Sequence, residues 1–564
     1  MPVVTMEERV RQGMQLLEAL DKKGMNQQET SEAFLLKLLR DNQDTEYGKM
    51  YGFADIHSIA EYQRKVPVTM FDDYAGAVHR MTENGEENLL TAYPVHWYAR
   101  TSGTMGNPKR IPLSIRGMEN AYQYMYIVYF GEMGKHFGTE WTKQKGLNLL
   151  SYPESFRILP SGAEYGSISG LTYYSMKESL PILYVSPEEA VHPAVGVSGK
   201  YLHALYALRY ENLSHIQCSF FSFLEDFFRY IEKHQETLIT DIAEGTINDQ
   251  AGLDPETKAR LEKELSPDPE RAEKLRKILG ETRNGFSVSR VWPSLRFIMG
   301  IGTGSFQQFA EKIRLKYTGS DVPFLFIGLV SSEGVYSYAY GLDREDSVLV
   351  PDGVFLEFLP LEAENDFSKI VTMDQLEPGK DYELIITNLS GLYRYRLRDV
   401  IRVTGEFQGR PTIRFMGRLE AAVSIMGEKT TELALTESVR KTAEILGLDI
   451  VDYSVYTDTN ADPMRYVYFL EIASNPEDVT PREIHRTLEM QLALANPSMG
   501  EKMKSGLCGH IRVNFLGEDS YALYRDVLYY KGGNAGQVKP VHIIQNEAQR
   551  KFFAGTTRYS YDAW

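Results

Sequence analysis

Thr101-Ser102-Gly103-Thr104-Met105-Gly106-Asn107-Pro108-Lys109 packs hydroxyls, two glycines and a lysine into nine positions. Glycine lets backbone N–H groups turn toward an anion at little steric cost, Ser and Thr add donors, and lysine adds a point charge. The stretch therefore predicts a loop that grips a polyphosphate, against the plainer alternative of a polar turn. It is not a Walker A loop, whose lysine directly follows the second glycine. Here Asn107 and Pro108 separate Gly106 from Lys109, which disfavours P-loop kinases and ATPases.

Composition bounds what such a loop can serve. The chain has 564 residues, 43% hydrophobic and 24% charged, enough to bury a large core and to divide into at least two domains. A formal charge of −16 argues against nucleic acid or an anionic membrane as the main partner. The two cysteines, Cys218 and Cys508, have neither disulfide-scaffold nor zinc-site spacing, which fits a reducing compartment. The N-terminal residues MPVVTMEERVRQGMQLLEAL read as an amphipathic helix, not a signal peptide. No apolar run reaches spanning length, so a cytoplasmic protein is expected.

Strand and helix patterns alternate without internal repeats, which favours an α/β architecture. Residues 147–152 and 324–329 suit buried strands, and 201–234 reads as one long helix-periodic stretch. Its Phe220, Phe221, Phe223, Leu224, Phe227, Phe228 and Ile231 fit a core helix better than a membrane face, because no basic cluster flanks them. Asp254-Pro255 and Asp268-Pro269 each place an acidic cap before a proline at the first helical position, predicting a charged helical hairpin on the surface.

Three further motifs follow the loop in order. Gly300-Ile301-Gly302-Thr303-Gly304-Ser305 ends an apolar run and precedes a helical pattern, the strand–turn–helix order in which ligands sit at strand ends. It lacks full dinucleotide-fold spacing, so contact between Thr303, Gly304 and a nucleotide is an even choice. Gly328-Leu329-Val330-Ser331-Ser332-Glu333-Gly334 sets a carboxylate beside the hydroxyls of Ser331 and Ser332, a combination suited to a phosphate-bound magnesium or to capping a turn. Leu392-Tyr393-Arg394-Tyr395-Arg396-Leu397-Arg398-Asp399-Val400 alternates at strand period and is closed by Asp399. An aspartate accepts two hydrogen bonds from vicinal ribose hydroxyls well; a basic edge strand with one paired acid is the competing reading.

The spelling T-S-G-T-x-G-x-P-K resembles the phosphate loop of the acyl-adenylating superfamily. The full order TSGTMGNPK, VSSEG, GLYRYRLRDV with RVTG, and FMGRLEAAVSIMGEKTTE resembles the plant auxin-responsive acyl acid amido synthetases, the Gretchen Hagen family, from about residue 30 to the end. The resemblance implies an α/β fold: a large N-terminal domain of mixed β-sheets flanked by helices, with a β-barrel part, and a smaller, mobile α+β C-terminal domain. It places the N-terminal ATP- and acyl-binding domain at 1–417, a hinge at 418–430 and the lid domain at 431–564. It also implies that ATP and Mg²⁺ serve the reaction, with Thr101, Ser102, Gly103, Thr104, Met105 and Gly106 around the phosphates. Glu333 would ligate magnesium, Asp399 would bind the ribose, and Arg418 and Lys429 would lie near the nucleotide. Lys539 matches the lysine that approaches the α-phosphate. The implied reaction adenylates a small carboxylic acid and passes the acyl group to an amino acid. An acyl-CoA ligase sharing the first step, or a noncatalytic nucleotide-binding protein of the same fold, are the alternatives.

Two positions depart from the family pattern: Arg398 stands where a glycine usually precedes the aspartate, and Arg100 where plant members carry serine. Neither removes a ligating group. After the loop, Tyr122, Tyr126 and Tyr129 fall at i, i+4 and i+7, one helical face that either lines a pocket for a flat acid or packs in the core. No arginine of that helix stands out as a partner for the acid's carboxylate.

Overall fold

The computed structural model describes residues 5–24, 26–100, 109–150, 152, 157–168, 170–171, 174, 177–194, 197–281, 285–419, 422–530 and 539–562. The chain divides into two compact units. The first comprises Met1–Thr303 and Phe309–Phe415, the second Gly304–Gln308 and Met416–Trp564.

In the first unit four short strands, Leu147–Asn148, His215–Phe220, Phe297–Ile301 and Phe324–Phe326, pair in that order and in parallel. Helices Gly199–Arg209 and Phe221–Lys233 flank the strand His215–Phe220 in sequence, which splits the single helix expected at 201–234. The strand alternates Ile216, Cys218 and Phe220 with His215, Gln217 and Ser219, but over six residues between two helices this short period is overrun by the helical spacing on either side. The phenylalanines of Phe221–Lys233 are buried, as a core helix requires. The two glycines preceding Thr303 serve packing. A Cβ on Gly300 would lie 2.7 Å from the Cys218 carbonyl, and one on Gly302 would lie 2.6 Å from the Phe326 ring.

A second, six-stranded sheet runs Ser337–Tyr338, Ser347–Leu349, Arg410–Arg418, Tyr395–Phe407, Asp381–Asn388, Val354–Pro360. It is the half-barrel part, and one aromatic and aliphatic core continues from it to the N-terminal helix Met6–Gly24. That helix buries Met6, Val10, Leu17 and Leu20 as its amphipathic pattern predicts. At its end the fully buried Arg410 reaches Asp21 at 2.9 Å and also bonds the Tyr338 hydroxyl. The surface helices Pro255–Glu264 and Pro269–Gly280 start as expected, with Asp254 and Asp268 accepting backbone N–H groups of their first turns.

The second unit is α+β. Its sheet Asp449–Asp458, Arg465–Ser474, Arg512–Leu516, Thr557–Asp562 mixes antiparallel and parallel pairs. Helices Glu432–Leu446 and Pro481–Ala495 turn Leu435, Val439, Leu488 and Leu492 into its core. Thr431 caps the first of these, and a Thr480/Glu483 capping box with Pro481 at the first position starts the second.

Candidate active site

The loop from Thr101 to Pro108, with Thr101, Ser102, Gly103, Thr104, Met105 and Gly106, lies outside the described residues. Its frame does not. Strands Val95–Arg100 and Arg110–Ser114 pair antiparallel with Arg100 opposite Arg110, so the two ends of the loop leave one hairpin side by side. Lys109 follows directly. Its ammonium lies 5.4 Å above the Phe71 ring and 3.5 Å from the Tyr395 hydroxyl.

Tyr395 begins the strand Tyr395–Phe407, and this strand is where the structure departs most from the expected alternation. Residues 392–394 precede the strand, which continues past Asp399 to Phe407, so Asp399 is interior to it and does not close it. The register explains why. Ile385 pairs with Arg396 while Glu383 pairs with Val400, so the strand bulges through residues 397–399. Arg398 holds the bulge with φ +65, in the left-handed region that glycine enters freely. That is the physical reason a family glycine suits this position. The side chain is retained by Glu383, whose carboxylate takes a bidentate pair from Arg396 at 2.8 and 2.5 Å and sits 3.6 Å from Arg398. The edge-strand alternative fails, because the strand is flanked on both sides within the sheet and its arginines answer buried glutamates. Arg394 pairs with Glu357 at 3.1 Å, and both are buried.

The bulge leaves Asp399 buried, at 3% exposure. Close to it is Tyr336, fully buried and missed by the sequence reading. Burial raises its hydroxyl pKa well above the ordinary phenol value, the negative charge of Glu333 raises it further, the hydrogen bond it shares with Ser331 opposes, and Asp399 adds to the rise. Tyr336 thus marks a place where Glu333, Ser331 and Asp399 come together. Nothing in its spacing distinguishes it among 36 tyrosines.

Ser332 and Glu333 form the two-residue tip of a tight hairpin between Val330–Ser331 and Gly334–Val335. The Ser331 hydroxyl donates to Glu333 at 2.6 Å and lies 2.6 Å from the Tyr336 hydroxyl. Asn388 holds the hairpin from beneath, its amide donating to the Glu333 carbonyl at 2.8 Å. Among the described residues no three His, Cys, Asp or Glu side chains group as a metal cage. Magnesium needs no such cage, since it is usually held by one or two carboxylates together with substrate phosphates. A half-buried carboxylate on a rigid tip, flanked by two serine hydroxyls, fits that form of binding.

Thr303 follows the C-terminal end of the parallel strand Phe297–Ile301, and Gly304 takes φ +62 to open the next helical turn. The predicted tyrosines part company. Tyr122 and Tyr126 are half-buried, with ring centroids 5.7 Å apart, and the Tyr122 hydroxyl accepts from Arg9 at 3.0 Å. Tyr129 is fully buried and accepts the Gly328 N–H at 2.8 Å, which makes it a core residue. A π-helical turn at Gln123–Ile127 inserts between them and spoils a simple i, i+4, i+7 face. Arg116, in the first turn of that helix, is exposed and lies 3.5 Å from Glu119. An open cleft of about 260 Å³ behind the helix is walled by Leu20, Phe34, Arg116, Gln123 and Asp352; none of the predicted ATP residues lines it.

The remaining predicted groups belong to the second unit. Arg418 ends the strand Arg410–Arg418 and is exposed. Lys429, at φ +46, lies in the loop between the short paired strands Ala422–Val423 and Thr430–Thr431. Glu428 shapes that loop by accepting the N–H groups of Ile425 and Met426 at 2.7 and 2.8 Å. Lys539 is exposed and directly precedes a segment pinned to the unit's sheet.

Comparison with known proteins covers nearly the whole chain. The GH3 family N-terminal domain matches residues 16–324, the central domain 347–418 and the C-terminal domain 433–548. Jasmonoyl-L-amino acid synthetase JAR4 of Nicotiana attenuata is 27% identical over 483 residues, 83% of this chain and 82% of that protein. Indole-3-acetic acid-amido synthetase GH3.3 of Arabidopsis thaliana is 25% identical over 523 residues, 89% and 87% of the two chains. The solved structure of AtGH3.15 acyl acid amido synthetase in complex with 2,4-DB superposes with a TM-score of 0.85 at 21% identity, covering 97% of this chain and 96% of that one. A 2-hydroxyisobutyryl-CoA ligase in its postadenylation state gives 0.50 at 9% identity, covering 95% and 92%. The fold is that of adenylate-forming enzymes.

Proposed function

Because the chain belongs to the GH3 family, we propose that it is an ATP-dependent acyl acid amido synthetase of the cytoplasm, acting on a small carboxylic acid and an amino acid. The observation that supports the site assignment is the hairpin tip at Glu333, bonded to Ser331 and thereby to buried Tyr336, whose hydroxyl also senses the charge of the buried Asp399; one nucleotide needs both a metal-bridging carboxylate and a ribose acceptor. In this reading Thr101, Ser102, Gly103, Thr104, Met105 and Gly106 cradle the phosphates, with Thr303, Gly304, Ser331 and Ser332 beside them. Asp399 accepts from the ribose hydroxyls, Arg418 and Lys429 lie by the nucleotide, and Tyr122 and Tyr126 border the acyl group. The hinge is residues 418–430.

The chemistry needs no protein nucleophile. A carboxylate oxygen of the acid attacks the α-phosphorus of ATP, the bond to the bridging oxygen breaks, and pyrophosphate leaves with its electron pair. The amino group then attacks the carbonyl carbon of the acyl-adenylate, AMP departs, and the nitrogen releases its proton. Magnesium, when bound at Glu333, neutralises charge on the phosphates. Lys539 stabilises charge that develops on the α-phosphate in the first step, and positioning supplies much of the rest.

Acid-dependent exchange of pyrophosphate into ATP across a library of carboxylic acids tests the first step, and mass spectrometry after adding amino acids or coenzyme A tests the second. Amide product confirms the proposal. Thioester product would make the protein a CoA ligase, and absence of exchange with every acid would leave a binding protein.

A further inference from the structure

We propose that His542 is a positioning residue for the adenylation step: an imidazolium clamped between Glu432 and Asp452 that fixes the backbone from which Lys539 projects. The proposal rests on the assignment of Lys539 given above, and all of the groups that form the clamp lie in the second unit.

The segment after Lys539 is held by packing of Val541, Ile543 and Ile544 against the unit's cores and by a short run of backbone bonds. Val541 accepts from the Ser454 hydroxyl at 2.5 Å, and the His542 carbonyl accepts the Val455 N–H at 2.8 Å. Ile544 donates to the Val455 carbonyl at 2.9 Å, and Ile543 forms a single parallel bridge to Val455. An isolated bridge is a weak tether beside a full strand ladder. The side chain of His542 adds what the backbone lacks. It is completely buried, its Nδ1 lies 2.8 Å from Glu432 and its Nε2 3.1 Å from Asp452. Its ring stacks on Tyr453 with centroids 4.3 Å apart and planes within 6°.

Only the protonated ring has a donor for each carboxylate, since neutral imidazole carries one N–H. Burial by itself works to lower the pKa of His542, but the hydrogen bonds and charges of Asp452 and Glu432 outweigh it and raise the value to about 9. The other groups facing the ring are the Tyr453 ring, the Gln308 amide at 3.4 Å from Nε2, and, beyond Asp452, Tyr521. Tyr453 and Tyr521 both have phenol pKa values held well above the ordinary range by burial, so neither supplies a competing charge near neutrality.

Three residues of extended chain span about 10 Å, so the clamp lies within that reach of the Lys539 backbone. A catalytic charge is sensitive to such placement, because a displacement of about 1 Å can lower a rate by a factor on the order of a hundred.

The test separates the two half-reactions. In H542Q, pyrophosphate exchange should fall about tenfold with the KM for ATP little changed, while amide formation from pre-formed acyl-adenylate stays near the wild-type rate. Because the residue acts through Lys539, H542Q should add little further loss in a K539A background, and its exchange should lose the wild-type decline as pH rises through about 9. Equal loss in both half-reactions, or the full tenfold loss added on top of K539A, would overturn the positioning role. Should H542Q fold poorly, E432Q, which keeps the imidazole and removes one partner, is measured the same way and decides the matter by the same criteria. K539A exchanging at the wild-type rate would instead remove Lys539 from the mechanism, and this proposal with it.

Discussion

Two regions of the molecule hold carboxylates near a predicted site residue, and they neutralise them by opposite means. In the six-stranded sheet, Glu357 and Glu383 are answered by Arg394, Arg396 and Arg398, which stay charged at any pH the protein meets. In the second unit, Glu432 and Asp452 share one histidine. The first arrangement is a fixed scaffold in which Asp399 is preset. The second is titratable, and it anchors the segment that carries Lys539. The difference teaches that, with Asp399 and Lys539 in their proposed roles, ribose binding and adenylation should respond differently to pH.

The largest break in that comparison is K539A. Loss of one transition-state charge contact should slow acid-dependent pyrophosphate exchange by about a hundredfold or more, read in exchange assays at saturating ATP. Next is D399N, which keeps the shape but weakens acceptance from the ribose. Its kcat/KM for ATP should fall about tenfold, in line with losing charge-assisted hydrogen bonds, with the same proportional loss at pH 7 and pH 9.

The pH contrast follows in size. A histidine whose folded pKa is raised from 6.5 to about 9 contributes stability that is fully present below 6.5 and is lost as pH rises through 9. Thermal melting should show the second unit losing stability as pH rises from 6.5 through about 9, and H542Q should flatten that slope. A slope unchanged in H542Q would mean that some other group titrates. Y336F should have a smaller effect, a few-fold in exchange, because it deletes one hydroxyl bonded to Ser331 while Glu333 keeps its bond from that serine. Smallest is R398G. Relief of the left-handed backbone and loss of the Glu383 contact oppose each other, so melting should place the net change within about 1 kcal/mol.

The ordered motifs made the family and the class of fold legible, because glycines, hydroxyls and acids at strand ends carry their chemistry in their spelling. Caps were legible for the same reason, as at Asp254 and Asp268. The strand His215–Phe220 was not: Ile216, Cys218 and Phe220 do alternate with His215, Gln217 and Ser219, but six residues between two helices are too few to stand out from the helical spacing around them. The bulge at Arg398 was hidden too: an arginine gives no sign of a positive φ, and only the resemblance, by leading one to expect glycine there, pointed to it. Tyr336, Glu383 and His542 matter through partners 13 to 110 positions distant in sequence or through burial, and no local pattern reports either. For Tyr129 the sequence left pocket and core both open, because a π turn changes the phase of a helix without any marker residue.

The bulge also constrains how this strand can change over time. An arginine in a glycine conformation is tolerable while Glu383 holds it, and Glu383 in turn is shared with Arg396. Positions 383 and 398 are therefore coupled: exchanging Glu383 for an uncharged residue removes this contact while the left-handed backbone at 398 stays, which raises the relative worth of a glycine there.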